Sequence, residues 1–169
     1  INALDFQPDI SLLPETRYYW KVQVQAGDEL LAESEPAWFE TAKQSGSWTA
    51  QWITPGEDQA AQPIVKKQFV IEKEVLAARL YICGLGLYEF EVNGQRTHDE
   101  YLLPGYHAYD FWQQYQTFDV TDSLKSGGNA LGIMLGDGWY KGRFGFDGGY
   151  TNLYGEQLEL IAELHLAYA

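Results

Sequence analysis

A chain of 169 residues with 46% hydrophobic and 15% aromatic content has the composition of a folded protein, with room for one full core or one domain and a fragment of another. Its 24 acidic against 11 basic residues leave a net charge of −13, which argues against a nucleic-acid partner, because a phosphate-binding surface needs clustered Lys and Arg. No apolar run approaches the roughly 18–20 residues of a membrane-spanning helix, so no membrane partner is expected either.

The excess carboxylates suit a solubilising acidic surface, and they also suit Ca²⁺, which takes carboxylate and carbonyl oxygens. Cys83 is the single cysteine, so an internal disulfide is excluded. It sits in the strand-like run Arg79–Cys83 with no histidine near it in sequence, which reads as a small core residue, not a nucleophile. Without disulfides the compartment, cytoplasmic or exported, stays open. The start at Ile1 without a signal pattern and the stop within an alternating run, Glu163–Ala169, predict that both ends are cut.

Helical periodicity is scarce. Short alternating runs bounded by Gly, Pro, Asn and Asp predict an all-β fold instead. Residues 1–43 form the first expected domain. There Trp20, Val22 and Val24 alternate with Tyr19, Lys21, Gln23 and Gln25, which places one face on a core. Gly27-Asp28 marks a turn and Trp38–Thr41 a closing strand. Leu12–Tyr18 resembles the tyrosine-corner approach of fibronectin type III domains, and with Ser34 and Phe39-Glu40-Thr41 it resembles the last strands of such a sandwich. About 40 residues are too few for a whole one, so this segment is expected to be partial.

Lys43–Ser47 reads as a polar linker. Trp48 and Trp52 then re-enter structure, either to stack on sugar or to pin a domain entrance, and Pro55–Asp58 reads as a turn or loop. The second expected domain, residues 44–169, holds strands at Lys66–Ile71, Ala77–Ile82, Gln113–Val120, Ala130–Leu135 and Glu156–Leu166. Leu87–Thr97 is a hairpin in which Tyr88, Phe90 and Val92 share a face, and Asn93-Gly94 supplies the positive φ of a type I′ turn. Thr121–Lys125 predicts a helical turn with Thr121 as N-cap, broken by Gly127-Gly128-Asn129.

Three phrases together resemble the N-terminal β-sandwich of bacterial α-L-rhamnosidases of glycoside hydrolase family 78. They are Gly86–Gly94, then Tyr115–Thr121 with Leu124, Gly128 and Asn129, then Leu135–Gly142. The second phrase is shared with accessory jelly rolls of β-galactosidase-like enzymes. The resemblance covers roughly Trp48 to Ala169. It implies a jelly-roll or galactose-binding-like sandwich, truncated at its C-terminal end, in a parent enzyme that hydrolyses terminal α-L-rhamnose with inversion. It also implies that the catalytic residues lie on a downstream helical barrel of the same parent, which would be a partner of this chain.

No catalytic residues are therefore assigned here. Asp99, Glu100, Asp110, Asp137 and Asp147 could furnish a carboxyl pair of the kind an inverting glycosidase needs, but loop carboxylates are abundant in so acidic a chain. His98, His107 and His165 lack metal-ligand spacing and read as exposed or locally hydrogen-bonded. No Gly-x-Ser-x-Gly elbow is present, and Gly84-Leu85-Gly86 is not followed by a helix pattern.

Sugar binding is the sharper expectation, because sugars present apolar C–H faces beside hydroxyls. The stretch Asp137–Arg143 carries the fitting residue types, so Asp137, Trp139, Tyr140 and Arg143, with Tyr106 from the acidic-aromatic stretch Asp99–Asp110, are the candidates for a rhamnose-containing carbohydrate. Some relatives bind rhamnose with Ca²⁺ assistance in this sandwich, which would place a Ca²⁺ near Asp99 or Asp137. No other cofactor is implied. The alternative assignment of Trp139 and Tyr140 is packing against a neighbouring domain. A stand-alone lectin is the alternative for the whole chain.

Overall fold

Alternating side chains organise both parts of the molecule. The computed structural model describes residues 8–44, 46–56 and 62–169. The chain divides between Trp48 and Thr49 into two compact units.

In the first unit, β1 (Arg17–Trp20) pairs with β4 (Ala37–Glu40), and β2 (Gln23–Ala26) pairs with β3 (Glu29–Glu33), both antiparallel. Together they make one interrupted two-stranded ribbon, bridged at the interruption by the Ser34 N–H donating to the Val22 carbonyl at 2.9 Å. The Tyr18 hydroxyl accepts the Leu13 N–H at 2.7 Å and its ring stacks on Phe39. This is the upstream backbone bond of a tyrosine corner. Trp20, Val22 and Val24 were expected to face a core. They are instead 50–52% exposed, because no second sheet lies over the ribbon among the described residues of this unit. Lys43, expected in a polar linker, has its side chain 1% exposed. Its ammonium lies near the Glu15 carboxylate and the Ser47 carbonyl, and over the Trp48 ring.

The second unit is a two-sheet sandwich. One sheet runs β5 (Ile64–Ile71), β10 (Gly127–Gly136), β7 (Leu87–Val92), β8 (Gln95–Arg96). The other runs β11 (Glu159–Tyr168), β6 (Val75–Leu85), β9 (Gln116–Asp119). Every pairing is antiparallel. Between the sheets lie Leu80, Ile82, Tyr88, Phe90, Val92, Phe118, Ile133, Leu135 and Leu160. Each such large side chain contributes about 1.5–3 kcal/mol on burial. The hairpin turn is as the sequence predicts: Asn93 and Gly94 have φ of 55° and 77°. Pro55-Gly56 continues into residues outside the described set, so the expected Pro55–Asp58 loop is described only in part.

The structure differs from expectation in several places. The strand predicted over Gln113–Val120 is confined to β9, because Gln113 and Gln114 are drawn into loop bonds with the Tyr109 carbonyl and the His107 ring. The turn after it is 3₁₀, Thr121–Ser123, and Thr121 is not its N-cap. The Thr121 hydroxyl donates to Asp119 at 2.6 Å and accepts the Ala78 N–H at 2.9 Å, which ties the turn to β6. The helical turn does end before Gly127-Gly128-Asn129, but these residues already belong to β10, which starts three residues ahead of the expected Ala130.

The outer face of the β11-β6-β9 sheet is covered as well. Tyr81, Cys83, Ile161 and Glu163 are all buried there. The Glu163 carboxylate accepts N–H groups of Thr49 and Ala50, and the Tyr81 ring packs edge-on against Tyr115 and His165. Burial holds the Cys83 thiol up at about 11. At Gly86, φ is +115°, and a Cβ would lie 2.6 Å from Leu158 Cδ2, so this crossing between β6 and β7 takes only glycine.

Candidate functional site: an aromatic loop end

Two loops meet at the end of the sandwich marked by Gly86. The first spans residues 97–115. It is anchored where the Tyr88 N–H donates to the Leu103 carbonyl at 2.8 Å and the Leu103 side chain enters the core. The second, residues 137–158, leaves β10 through α1 (Gly138–Lys141), a helical turn within the Asp137–Arg143 stretch. Gly138 has φ +52°, and a Cβ there would press on Leu87. That turn directs Tyr140 inward. Gly155 has no side chain to displace the Tyr140 hydroxyl packed against it.

The loops are joined by aromatic rings. Tyr109 meets Tyr140 at 5.2 Å and Tyr154 at 5.0 Å between centroids. Tyr106 lies parallel to Phe144 at 6.3 Å, and edge-on to Trp139 at 6.4 Å. The Tyr106 and Tyr154 hydroxyls are 2.8 Å apart. That hydrogen bond, with some desolvation, holds the Tyr154 phenol up at about 12. Burial raises Tyr109 and Tyr140 too. His107 is 1% exposed, stacks on Trp112, and accepts the Gln114 N–H on Nδ1 at 3.3 Å. Desolvation pushes its pKa down, against a smaller opposing bond to the Pro104 backbone. Tyr109, Tyr140 and Tyr154 are thereby kept neutral at ordinary pH, so they offer rings and hydroxyls, not charge.

Tyr106 and Trp139, both candidates from the sequence, are brought together here, and Tyr106 is 54% exposed. Tyr140 is buried in the seam. Arg143 is exposed and donates to the Gly148 carbonyl. Asp137 is partly buried, and its carbonyl accepts the Lys141 N–H at 3.1 Å. Asp99 lies exposed in the first loop. Among the described residues, no group of three or more His, Cys, Asp or Glu side chains comes together to hold a metal. A Ca²⁺ at Asp99 or Asp137 would draw most of its six to eight oxygens from carbonyls and water.

Sequence reasoning placed Tyr109 with Tyr106 in the Asp99–Asp110 stretch but missed Phe144 and Tyr154 as partners of these residues; the density of rings in the second loop was the available signal. It also placed His98 and His107 at the surface or in local bonds. The His98 side chain is 2% exposed and stacks 4.5 Å from Phe90, with Glu89 and Glu100 carboxylates 3.6 and 3.5 Å from its two nitrogens.

Fold and loop end define a two-sheet antiparallel β-sandwich domain with an aromatic terminal surface. Residues 73–169 match the family described as the alpha-L-rhamnosidase N-terminal domain, and residues 7–45 match the Rha78A-like, N-terminal immunoglobulin domain. The chain belongs to the α-L-rhamnosidase family, as part of its N-terminal region. An alpha-L-rhamnosidase of Formosa agariphila is 38% identical over 151 residues, which cover 74% of this chain and 16% of that protein. One of Streptomyces avermitilis is 39% identical over 130 residues, 76% of this chain and 12% of that protein. The crystal structure of the Aspergillus terreus alpha-L-rhamnosidase superposes with a TM-score of 0.81 at 33% identity, covering 94% of this chain and 19% of that one. The chain thus spans less than a fifth of the relatives it matches.

Proposed function

We propose that this chain is a non-catalytic accessory region of an enzyme that releases terminal α-L-rhamnose from glycosides, and that it serves to dock the enzyme's other parts. The observation that carries the reading is the match of residues 73–169 to the N-terminal domain of that family. The chemistry of the loop end agrees. Glycoside hydrolysis with inversion uses a carboxylic acid and a carboxylate facing each other across a sugar, whereas the groups gathered here are neutral phenols and a buried imidazole. The test is hydrolysis of a chromogenic α-L-rhamnoside. The expected result is turnover by the longer polypeptide that carries this chain and none by residues 1–169 alone; turnover by the short chain overturns the reading.

A second reading, carbohydrate binding, is favoured by the half-exposed Tyr106 ring beside Trp139. Calorimetric titration with L-rhamnose, with and without Ca²⁺, addresses it. Saturable heat that disappears in Trp139→Ala supports a sugar platform, and no heat in either buffer removes it.

A further inference from the structure

We propose that the aromatic loop end is a protein-docking face, and that its occupant is a segment of the same polypeptide outside these 169 residues. The inference rests on the accessory-region reading and assigns the surface that does the docking. Phe111 is 88% exposed, Phe146 94% and Tyr150 73%, with Trp112 at 52% and Phe144 at 40%. Single exposed rings are ordinary, but linked ones mark an interaction surface. Three of these are linked, and Phe111 and Phe146 flank them in sequence: Phe144 and Tyr150 exchange two backbone hydrogen bonds of 2.8 Å, Phe144 stacks on Tyr106, and Trp112 stacks on His107 beside Tyr109.

The two loops, residues 97–115 and 137–158, hold Asp99, Glu100, Asp110, Asp137, Asp147 and Glu156 against Lys141 and Arg143, a net −4, but within the ring-bearing run 101–115 Asp110 is the single formal charge. Interface cores are rich in Tyr, Trp and Phe. A protein suits the face better than a glycan. The two most exposed rings are phenylalanines, which add no hydrogen bond to a sugar. The Tyr106 and Tyr154 hydroxyls are bonded to each other, which takes up one of their two O–H donors, and Arg143 donates to the Gly148 carbonyl. The same polypeptide suits it best, because the matched span is only 16% and 12% of the curated relatives. A tethered partner reaches a high effective concentration, so a modest face suffices.

The test uses the longer polypeptide with a photo-reactive benzoylphenylalanine at position 111 or 146, and, as control, at exposed position 76, at the far end of β6 from Gly86. Cross-links from 111 and 146, but not from 76, to peptides outside residues 1–169 are expected. Phe111→Ser with Phe146→Ser should also raise the rate of limited proteolysis outside the sandwich several-fold. Cross-links only to a second copy, cross-linking suppressed by a rhamnose-containing oligosaccharide, or a polypeptide with nothing beyond the sandwich would each overturn the proposal. Rhamnosidase activity of the unmodified polypeptide is read separately. Activity without the cross-links sinks the docking face alone, and cross-links without activity sink the accessory reading.

Discussion

The side-chain amides of Asn93 and Asn129 are joined by a hydrogen bond of 2.9 Å, from Asn93 Nδ2 to Asn129 Oδ1. Asn93 also donates to the Ser123 carbonyl and accepts the Ala130 N–H. Asn129, 4% exposed, bonds both backbone groups of Lys125 and the Gly127 carbonyl. Two of the phrases that carry the family resemblance therefore meet at one polar knot. It closes the loop between the 3₁₀ turn and β10 onto the β7–β8 turn.

Asn129→Ala strips the buried knot of its partners and should destabilise the fold by at least about 2 kcal/mol, since each buried polar group left unpaired costs roughly 1–3 kcal/mol. Asn93→Gly should cost less than Asn93→Ala by about 1 kcal/mol, because only the alanine adds strain at φ 55°. Urea unfolding of the three variants checks the order; an Asn93→Ala as stable as Asn93→Gly contradicts it.

His107 gives the fold a pH dependence of definite sign. Burial lowers its folded-state pKa below the unfolded value, near 6.5. The unfolded chain therefore binds the proton more readily. The stability contribution is fully present above about 6.5 and is lost as pH falls towards the folded value. His107→Gln should flatten that part of the stability–pH curve, measured by urea midpoints between pH 5 and 8. An unchanged slope would rule His107 out as its source.

The Tyr106–Tyr154 hydroxyl pair is readable by spectrophotometric titration. Removing the acceptor of the Tyr154 O–H in Tyr106→Phe should bring Tyr154 down from about 12 towards the ordinary tyrosine value near 10. The 295 nm absorbance would then gain one phenolate at lower pH. A titration curve identical to the parent's would show that the hydroxyl contact does not set the pKa.

Glu163 is a buried acceptor for the entering chain. Its Oε1 receives the Ala50 N–H at 2.7 Å and the Thr49 hydroxyl at 3.0 Å. Glu163→Ala should loosen residues 49–53 and cost about 2–3 kcal/mol. Hydrogen exchange at the Thr49 and Ala50 amides should quicken well before the core strands respond. Uniform quickening would mean that Glu163 supports the whole sheet.

Strand alternation made the sandwich readable. Tyr88, Phe90 and Val92 announce the core face of β7, and Asn93-Gly94 announces its turn. What alternation could not reveal is cover on a second face. Glu163 and Ile161 share a side of β11 with no apolar stripe to mark it, and both are buried, Glu163 where the segment at Thr49–Ala50 bonds to its carboxylate. The histidines escaped for a similar reason. His98 is enclosed by Phe90 and Phe118 from β7 and β9, which spacing within one stretch does not encode, whereas His107 is buried by the folding of its own loop, stacked on Trp112. Of the candidate site, the residue types were legible, but not the inward turn of Tyr140, which depends on the short helix at Gly138–Lys141 and the space left at Gly155.

Cys83 turns the sandwich into its own unfolding reporter. The thiol is 4% exposed and its pKa stands at about 11, so at neutral pH it is both sheltered and almost wholly protonated. Thiolate is the form that reacts. Alkylation should be negligible in the native protein and fast once β6 and β11 separate. A pulse of iodoacetamide would then count the open molecules one sulfur at a time, without an engineered label.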